Sequence, residues 1–249
     1  MKIAVISDIH GNFVALEAVL KDVKERGCDR LVCLGDLVTL GPQPVQVLEA
    51  VMEENCDCIM GNHDQALLSP DKWNELQIYS MVQPDLKWAM QHLDDRHYKF
   101  LSSFLPYKAV DMYDNYQILF CHGSPKSNIQ VMFPDMDVKM LDEMCDGFSA
   151  QAIVNGHLHC QFKELAGKRL YINPGSVGMP FKIPPGPGIA PVMHHWAEYA
   201  TLSISPSGKT LAEKIQVELH RVKYDFSELK QILNASSLPG KSWWLEQMP

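Results

Sequence analysis

Short apolar runs alternate with amphipathic stretches over the first quarter of the chain. Ile3-Ala4-Val5-Ile6 is a continuous apolar run, the pattern of a strand buried on both faces. After a turn at His10-Gly11, Asn12 can cap a helix in which Phe13, Leu16, Val19, Leu20 and Val23 recur at helical spacing; Gly27 ends it. Leu31 to Leu34 reads as a second buried strand. Pro44 suits the first turn of a second helix, with Leu48, Val51 and Met52 on one face, and Cys58 to Met60 forms a third strand. This β-α-β-α-β opening implies parallel strands with right-handed crossovers.

From Gln65 to Phe104 the period turns helical, with Leu86, Met90 and Leu93 on one face and Phe100, Leu101 and Phe104 on another. Pro84 fits a helix start. The second half is richer in strands. Tyr107 to Met112 and Tyr116 to Phe120 read as a hairpin around Asp114-Asn115. Ala152 to Val154, Phe162 to Leu165 and Leu170 to Ile172 are further strands, with a turn at Gly167-Lys168. Tyr199 to Ile204 and Leu211 to Val217 read as a hairpin around Pro206-Ser207-Gly208. Asp225 with Glu228 resembles a capping box for a last helix through Leu229, Ile232 and Leu233. Two such sheets bury their apolar faces against each other, with helices outside. The expected organisation is one α/β domain over 1–235, with a helical excursion at 65–104 and a Pro-rich loop at 180–191. Residues 236–249 form a C-terminal tail.

Composition narrows the function. Of 249 residues, 46% are hydrophobic and 21% charged, the balance of a globular protein. No apolar run reaches the ~18 residues a membrane helix needs. Lys and Arg total 22 against 30 Asp and Glu, a net charge of −8, which argues against gripping long nucleic acids by charge. An anionic substrate needs cations from elsewhere, and bound metal is the obvious source. The seven cysteines lack disulfide-like spacing, and Cys56-x-Cys58 has no second Cys pair to complete a zinc site. Met1 leads straight into the first strand without a charged-then-apolar leader, so a cytoplasmic location is expected.

Each candidate polar block follows an apolar strand. Asp8-Ile9-His10 follows the first, Gly35-Asp36 the second and Gly61-Asn62-His63-Asp64 the third. Cys121-His122-Gly123 follows Ile118 to Phe120, and Gly156-His157-Leu158-His159 follows Ile153-Val154. Ligands of open α/β sheets bind beyond the carboxyl ends of the strands, so these blocks are expected to converge. Carboxylate, amide oxygen and imidazole are donors for Mn, Fe, Zn or related ions. Two Asp, one Asn and four His exceed what a single ion takes, whereas two ions sharing one carboxylate use them all. Two metals ~3.5–4 Å apart are a recurring device of phosphoryl chemistry, polarising the phosphate and drawing a bridging water toward hydroxide. Asp-x-His or His-x-His alone says little. Five blocks at five strand ends, one of them Gly-Asn-His-Asp, speak against accident.

These blocks, in this order, resemble those of the calcineurin-like metallophosphoesterases. Asn173-Pro174-Gly175-Ser176-Val177-Gly178 resembles a block of their small single-domain bacterial and archaeal phosphodiesterase branch, and the likeness spans about residues 1–218. The resemblance implies a four-layer α-β-β-α sandwich with a dinuclear centre of Mn, Fe, Zn or Ni. Asp8, His10 and His159 would hold one metal, and Asn62, His122 and His157 the other. Asp36 would bridge both together with hydroxide. His63 would protonate the leaving oxygen or stabilise charge there, and Asp64 would orient His63. The implied activity is hydrolysis of a phosphodiester on a small, nucleotide-like substrate by in-line attack of the bridging hydroxide. A dinucleoside polyphosphate hydrolase and a phosphomonoesterase are alternatives within this chemistry. A non-catalytic scaffold should show eroded ligands, and none of the seven is replaced.

One departure matters. Phosphoprotein phosphatases and symmetrical dinucleoside tetraphosphatases carry an Arg in the loop after the bridging Asp. Here the loop reads Asp36-Leu37-Val38-Thr39-Leu40-Gly41-Pro42, with no guanidinium to fork onto a phosphate. His194 and His195 at the end of the Pro-rich loop read as a solvated pair more readily than as substrate contacts. Trp243-Trp244 is expected to dock on the same molecule, with a homo-oligomer contact as the other reading.

Overall fold

The computed structural model describes residues 1–113, 116–186 and 188–248. The chain opens with β1 (Lys2–Ile6), α1 (Phe13–Glu25), β2 (Arg30–Cys33), α2 (Pro44–Glu53) and β3 (Asp57–Cys58). β1, β2 and β3 are parallel, as the crossover pattern requires. The helical excursion comprises α3 (Asn62–Leu68), a 3-10 turn at Pro70–Lys72, α4 (Gln83–Met90) and α5 (Asp95–Leu101). Next come β4 (Tyr107–Asp111), β5 (Gln117–Cys121), α6 (Val138–Met144), β6 (Ala152–Asn155), β7 (Gln161–Ala166), β8 (Arg169–Pro174), β9 (Phe181–Ile183) and β10 (Val192–Met193). The chain closes with β11 (Ala197–Ile204), α7 (Leu211–Lys214), β12 (Ile215–Val222), α8 (Phe226–Ala235) and α9 (Lys241–Glu246).

Two five-stranded mixed sheets result, ordered β12-β11-β1-β2-β3 and β4-β5-β6-β8-β7. The period-two alternation of each strand sorts its side chains between two cores. Ile3, Val5, Val32 and Leu34 of one sheet meet Ile118, Phe120, Val154 and Ile172 of the other. Ala4, Ile6 and Cys33 point the opposite way, onto Leu16, Val19 and Leu20 of α1 and Val47, Leu48 and Val51 of α2. Leu119, Ile153 and Tyr171 cover the outer face of the second sheet together with Leu141 and Met144 of α6. The layers are therefore α-β-β-α, as expected from the resemblance.

The structure departs from the pattern in several places. β3 is shorter than Cys58 to Met60: Cys58 pairs with Cys33, and Ile59 makes only a lone bridge to Leu105. Past that pair the two chains approach so closely that a Cβ on Gly35 would strike the backbone of Gly61. β4 and β5 form the expected antiparallel pair, but their Asp114-Asn115 turn lies outside the described residues. Leu211 begins a helix and not a strand. The Thr210 hydroxyl caps Glu213 N, and the Glu213 carboxylate accepts from Lys209 N at 2.8 Å. The strand starts at Ile215 and then pairs with β11 as far as Val222. Asp225 caps α8 through the amides of Ser227 and Glu228. The Pro-rich stretch is not all loop: β9 pairs with β10. α6, with only Leu141 and Met144 buried, has too short an apolar face to be seen in the sequence.

The tail docks on its own chain. Trp244 is 1% exposed and packs among Val14, Trp88, Leu229, Leu233 and Leu238. Its indole nitrogen donates to Leu40 O at 2.7 Å. Among the described residues no helix is long and apolar enough to cross a membrane.

Candidate metal centre

Every polar block lies just past the carboxyl end of a strand: β1, β2, β3, β5 and β6. The chain turns there through the left-handed region, with φ of 53° at Asp8, 47° at His10, 57° at Asp36, 64° at His157 and 59° at His159. A non-glycine residue in that region costs about 1–3 kcal/mol and persists only when its surroundings impose it. Here they do. Asp8 N donates to Gly35 O (2.9 Å), His10 N to Asp36 O (3.0 Å) and Gly178 N to Asp8 O (3.1 Å).

Two clusters form. Asp8, His10 and His159 make one, Asp36, His122 and His157 the other; within each, one donor atom per residue lies within 4.8 Å of the others. His159 Nε2 is 3.2 Å from His10 Nε2 and 3.2 Å from Asp8 Oδ1. His122 Nε2 is 3.2 Å from Asn62 Oδ1 and 3.3 Å from Asp36 Oδ2. Asp36 Oδ2 also lies 3.9 Å from His10 Nε2, so this carboxylate stands between the clusters. All seven residues picked from the sequence are thus brought together.

The surrounding contacts aim the donors inward. His122 Nδ1 faces Leu34 O at 2.7 Å and His159 Nδ1 faces Met179 O at 2.8 Å. A carbonyl only accepts, so each Nδ1 carries the proton and each Nε2 of the neutral ring offers a lone pair to a cation. Asn62 Nδ2 donates to Leu76 O (3.1 Å), which turns its amide oxygen toward His122. Asp8 Oδ2 accepts from Ser7 Oγ (2.6 Å) and His157 N (3.1 Å). Asp8 Oδ1, in contrast, is buried without a hydrogen-bond partner among the described residues. A buried carboxylate oxygen left open inside a ring of imidazoles is the donor set of a divalent cation, and the residues fit one.

The electrostatics point the same way. Burial raises the Asp8 carboxyl, but His159 and His122 outweigh it and hold it below the usual carboxylate range. Asp36 is held well below its ordinary value against burial by His122, His63 and His10. Burial lowers the His122 imidazole, yet Asp36 and Asp8 lift it to about 9, and His159 is raised by Asp8 in the same way. Burial together with its neighbour His159 pushes His10 to about 3, and burial together with His122 pushes His157 to about 4. In each cluster the carboxylates thus favour the protonated form of one imidazole, His122 or His159. A divalent ion would take that proton's place.

A family model, the calcineurin-like phosphoesterase superfamily domain, matches residues 1–193. The chain belongs to the calcineurin-like phosphoesterase superfamily. It is therefore an enzyme that hydrolyses phosphoric esters. An uncharacterized protein of Methanocaldococcus jannaschii is 32% identical over 195 residues, 72% of this chain and 76% of the relative. A symmetrical bis(5'-nucleosyl)-tetraphosphatase of Pseudomonas syringae pv. tomato is 37% identical over 79 residues, only 30% of this chain and 26% of that protein. Among solved structures, a metallophosphoesterase from Sphaerobacter thermophilus aligns with a TM-score of 0.71 at 25% identity, covering 96% of this chain and 95% of that one. A protein of Pyrococcus horikoshii OT3 shares the fold, with a TM-score of 0.76 at 23% identity over 96% and 94% of the two chains.

Within this calcineurin-like site, one expected pairing is corrected. Among the described residues the Asp64 carboxylate makes no hydrogen bond to the His63 ring. Its Oδ2 accepts from Asp36 N (2.7 Å) and Gly61 N (3.2 Å), and its Oδ1 from Leu37 N (3.0 Å). Neighbours in sequence on a helix do not face each other, and both residues lie in the first turn of α3. The partner of the His63 ring is Thr39, whose Oγ1 lies 2.8 Å from Nδ1. The His63 amide donates to Asp36 Oδ1 at 2.9 Å. Ser176 Oγ donates to Asp8 O (2.6 Å) and accepts from Met179 N (2.7 Å), a structural part in the turn. His194 stacks on Trp196 and His195 meets Gln247 O of the tail at 3.2 Å; among the described residues neither makes a hydrogen bond to the clusters. The sequence carried no signal for Thr39, Ser7 or the Leu76 carbonyl. Phe181, which stacks on His159 with centroids 4.8 Å apart, was also missed.

Proposed function

We propose that this protein is a dinuclear-metal phosphodiesterase for small, nucleotide-like substrates. Asp8, His10 and His159 would hold one ion, and Asn62, His122 and His157 the other, with Asp36 shared. The observation that carries this reading is the Asp36 carboxylate placed between two inward-facing donor clusters. The chemistry such a pair supplies when bound is Lewis-acid charge on the phosphoryl oxygens and a water acidified to act as nucleophile near neutral pH. The chain's own residues do the rest. Ser7 and the His157 amide fix the rotamer of Asp8. The Leu34 and Met179 carbonyls set the tautomers of His122 and His159. His63, tied by its amide to Asp36, assists the leaving oxygen.

The partial match to symmetrical tetraphosphatases favours dinucleoside polyphosphates as a second reading. The absence of an Arg between Asp36 and Pro42 weighs against it. A substrate panel decides: phosphomonoesters, phosphodiesters and dinucleoside polyphosphates, each assayed with Mn, Fe, Zn or Ni. Diester hydrolysis should lead, and a dinucleotide rate well above every diester would overturn the choice. His63→Ala should keep both metals by elemental analysis and lose about 10²–10⁴-fold in rate if the imidazole acts at the leaving group.

A further inference from the structure

Thr39 is fully buried. Among the described residues its hydroxyl makes one hydrogen bond, to His63 Nδ1 at 2.8 Å. Both partners are anchored. His63 N is bound to Asp36 Oδ1. The loop that carries Thr39 is pinned on one side by Asp64, through Asp36 N and Leu37 N, and on the other by the Trp244 indole, through Leu40 O.

Two proton assignments satisfy the distance. In one, Nδ1–H donates to the Thr39 oxygen, and the hydroxyl proton is left buried with no acceptor. In the other, the hydroxyl donates to an unprotonated Nδ1, and the one proton left open, on Nε2 of a half-buried ring, is not among the buried unpaired atoms of the described residues. Buried polar groups that can be paired are paired, so the second assignment wins. The ring then carries its proton on Nε2, which makes no hydrogen bond to protein among the described residues.

We propose that Thr39 is a positioning residue that holds His63 in its Nε2–H tautomer, so that His63 gives the substrate a hydrogen bond and not a proton. This rests on the reading above that His63 acts at the scissile phosphate, and it decides between the two roles left open for it. A ring with its single proton on Nε2 can stabilise charge on the leaving oxygen. Surrendering that proton would leave an imidazolate. When the P–O bond breaks, its electron pair stays on the leaving oxygen, and that oxygen takes its proton from water.

Long-range 1H–15N correlation on histidine-labelled full-length protein, metal-free and zinc-loaded, reads the tautomer directly. His63 is identified by the signal lost in His63→Ala. The expected result is a protonated Nε2 and an unprotonated, hydrogen-bonded Nδ1. In Thr39→Val the Nδ1 resonance moves toward that of a free ring nitrogen; in Thr39→Ser it stays. With bis(p-nitrophenyl) phosphate as probe, Thr39→Val lowers kcat about 10–100-fold, as loss of a partner that orients an active-site group typically does, with KM unchanged. Thr39→Ser restores the rate. A wild-type proton on Nδ1 overturns the proposal, as does a Thr39→Val protein matching wild type in spectrum and kcat. If His63→Ala keeps full rate, the role of His63 falls, while the nitrogen spectrum still decides the Thr39 bond. The two failures are therefore told apart.

Discussion

Replacing Asp64 tests whether it staples two loops or serves His63. Its carboxylate is buried and accepts three backbone amides, two on Oδ2 and one on Oδ1. Those amides belong to the loop after β2 and to the start of α3, the two segments that carry Asp36, Thr39, Asn62 and His63. In Asp64→Asn the amide oxygen can take the place of Oδ2, and its NH₂ then faces the Leu37 amide, donor against donor. One buried N–H is left without an acceptor, a cost of about 1–3 kcal/mol. In a chain of this size that lowers Tm by roughly 2–12 °C. Asp64→Ala strips all three amides and falls further. The pH dependence has a definite sign. Burial, with Asp36 beside it, lifts the folded-state Asp64 from 3.8 to about 7. Ionisation thus costs the wild type stability as pH rises between these values, while Asn has no proton to lose. The deficit of Asp64→Asn is therefore largest on the acid side of 3.8, narrows up to about 7 and is flat above. Circular-dichroism melts of the metal-free protein across that window measure it. A variant that melts like wild type at every pH yet loses turnover would refute the staple and return Asp64 to His63.

Two further outcomes follow from the geometry. Without metal His122 holds a proton up to about pH 9. A cation must displace it, so zinc affinity should rise about tenfold per pH unit for one released proton and level off near that value. Calorimetry in buffers of different ionisation enthalpy counts the protons, and a pH-independent affinity with none released would contradict the ligand role of His122. Trp244→Ala empties a fully buried site between α4 and α8 and should cost about 3–5 kcal/mol. An unchanged chemical-denaturation midpoint would mean that the tail does not hold to the body.

The residues proposed as metal ligands were legible because they sit where a strand stops. A buried strand is an uninterrupted apolar run, and the first polar residues after it must lie at the sheet's carboxyl edge. Asp8, Asp36, Asn62, His122 and His157 each obey that rule, and the topology alone brings them together. The roles of His63's neighbours were not legible, because they depend on which loops the sheet draws side by side. Adjacency in sequence suggested Asp64 as the partner of His63, but the first turn of a helix aims consecutive side chains apart. Thr39 lies in the loop Leu37-Val38-Thr39-Leu40 with nothing to mark it. It matters only because β2 and β3 are neighbours and end at the same level. Leu211–Lys214 failed for a different reason. The apolar alternation toward Val217 ran through it, and the local Thr210–Glu213 cap was strong enough to hold one turn of helix ahead of the strand.

The part of the chain beyond the family match is not an appendage to this site. The match ends at residue 193, and β11 and β12 follow it. β11 lies antiparallel on β1 from Lys2 to Val5. Without it, the strand that delivers Asp8 and His10 would be a bare edge with a row of open amides and carbonyls. Glu198 N on β11 also donates to Ser176 O at 2.9 Å, in the turn whose serine holds the Asp8 carbonyl. Farther on, the Trp244 indole takes up the carbonyl of Leu40, a residue whose own φ of 75° needs outside support. The matched segment supplies the donors of both clusters. The segment after it completes the sheet and braces the loop that keep those donors aimed at one point.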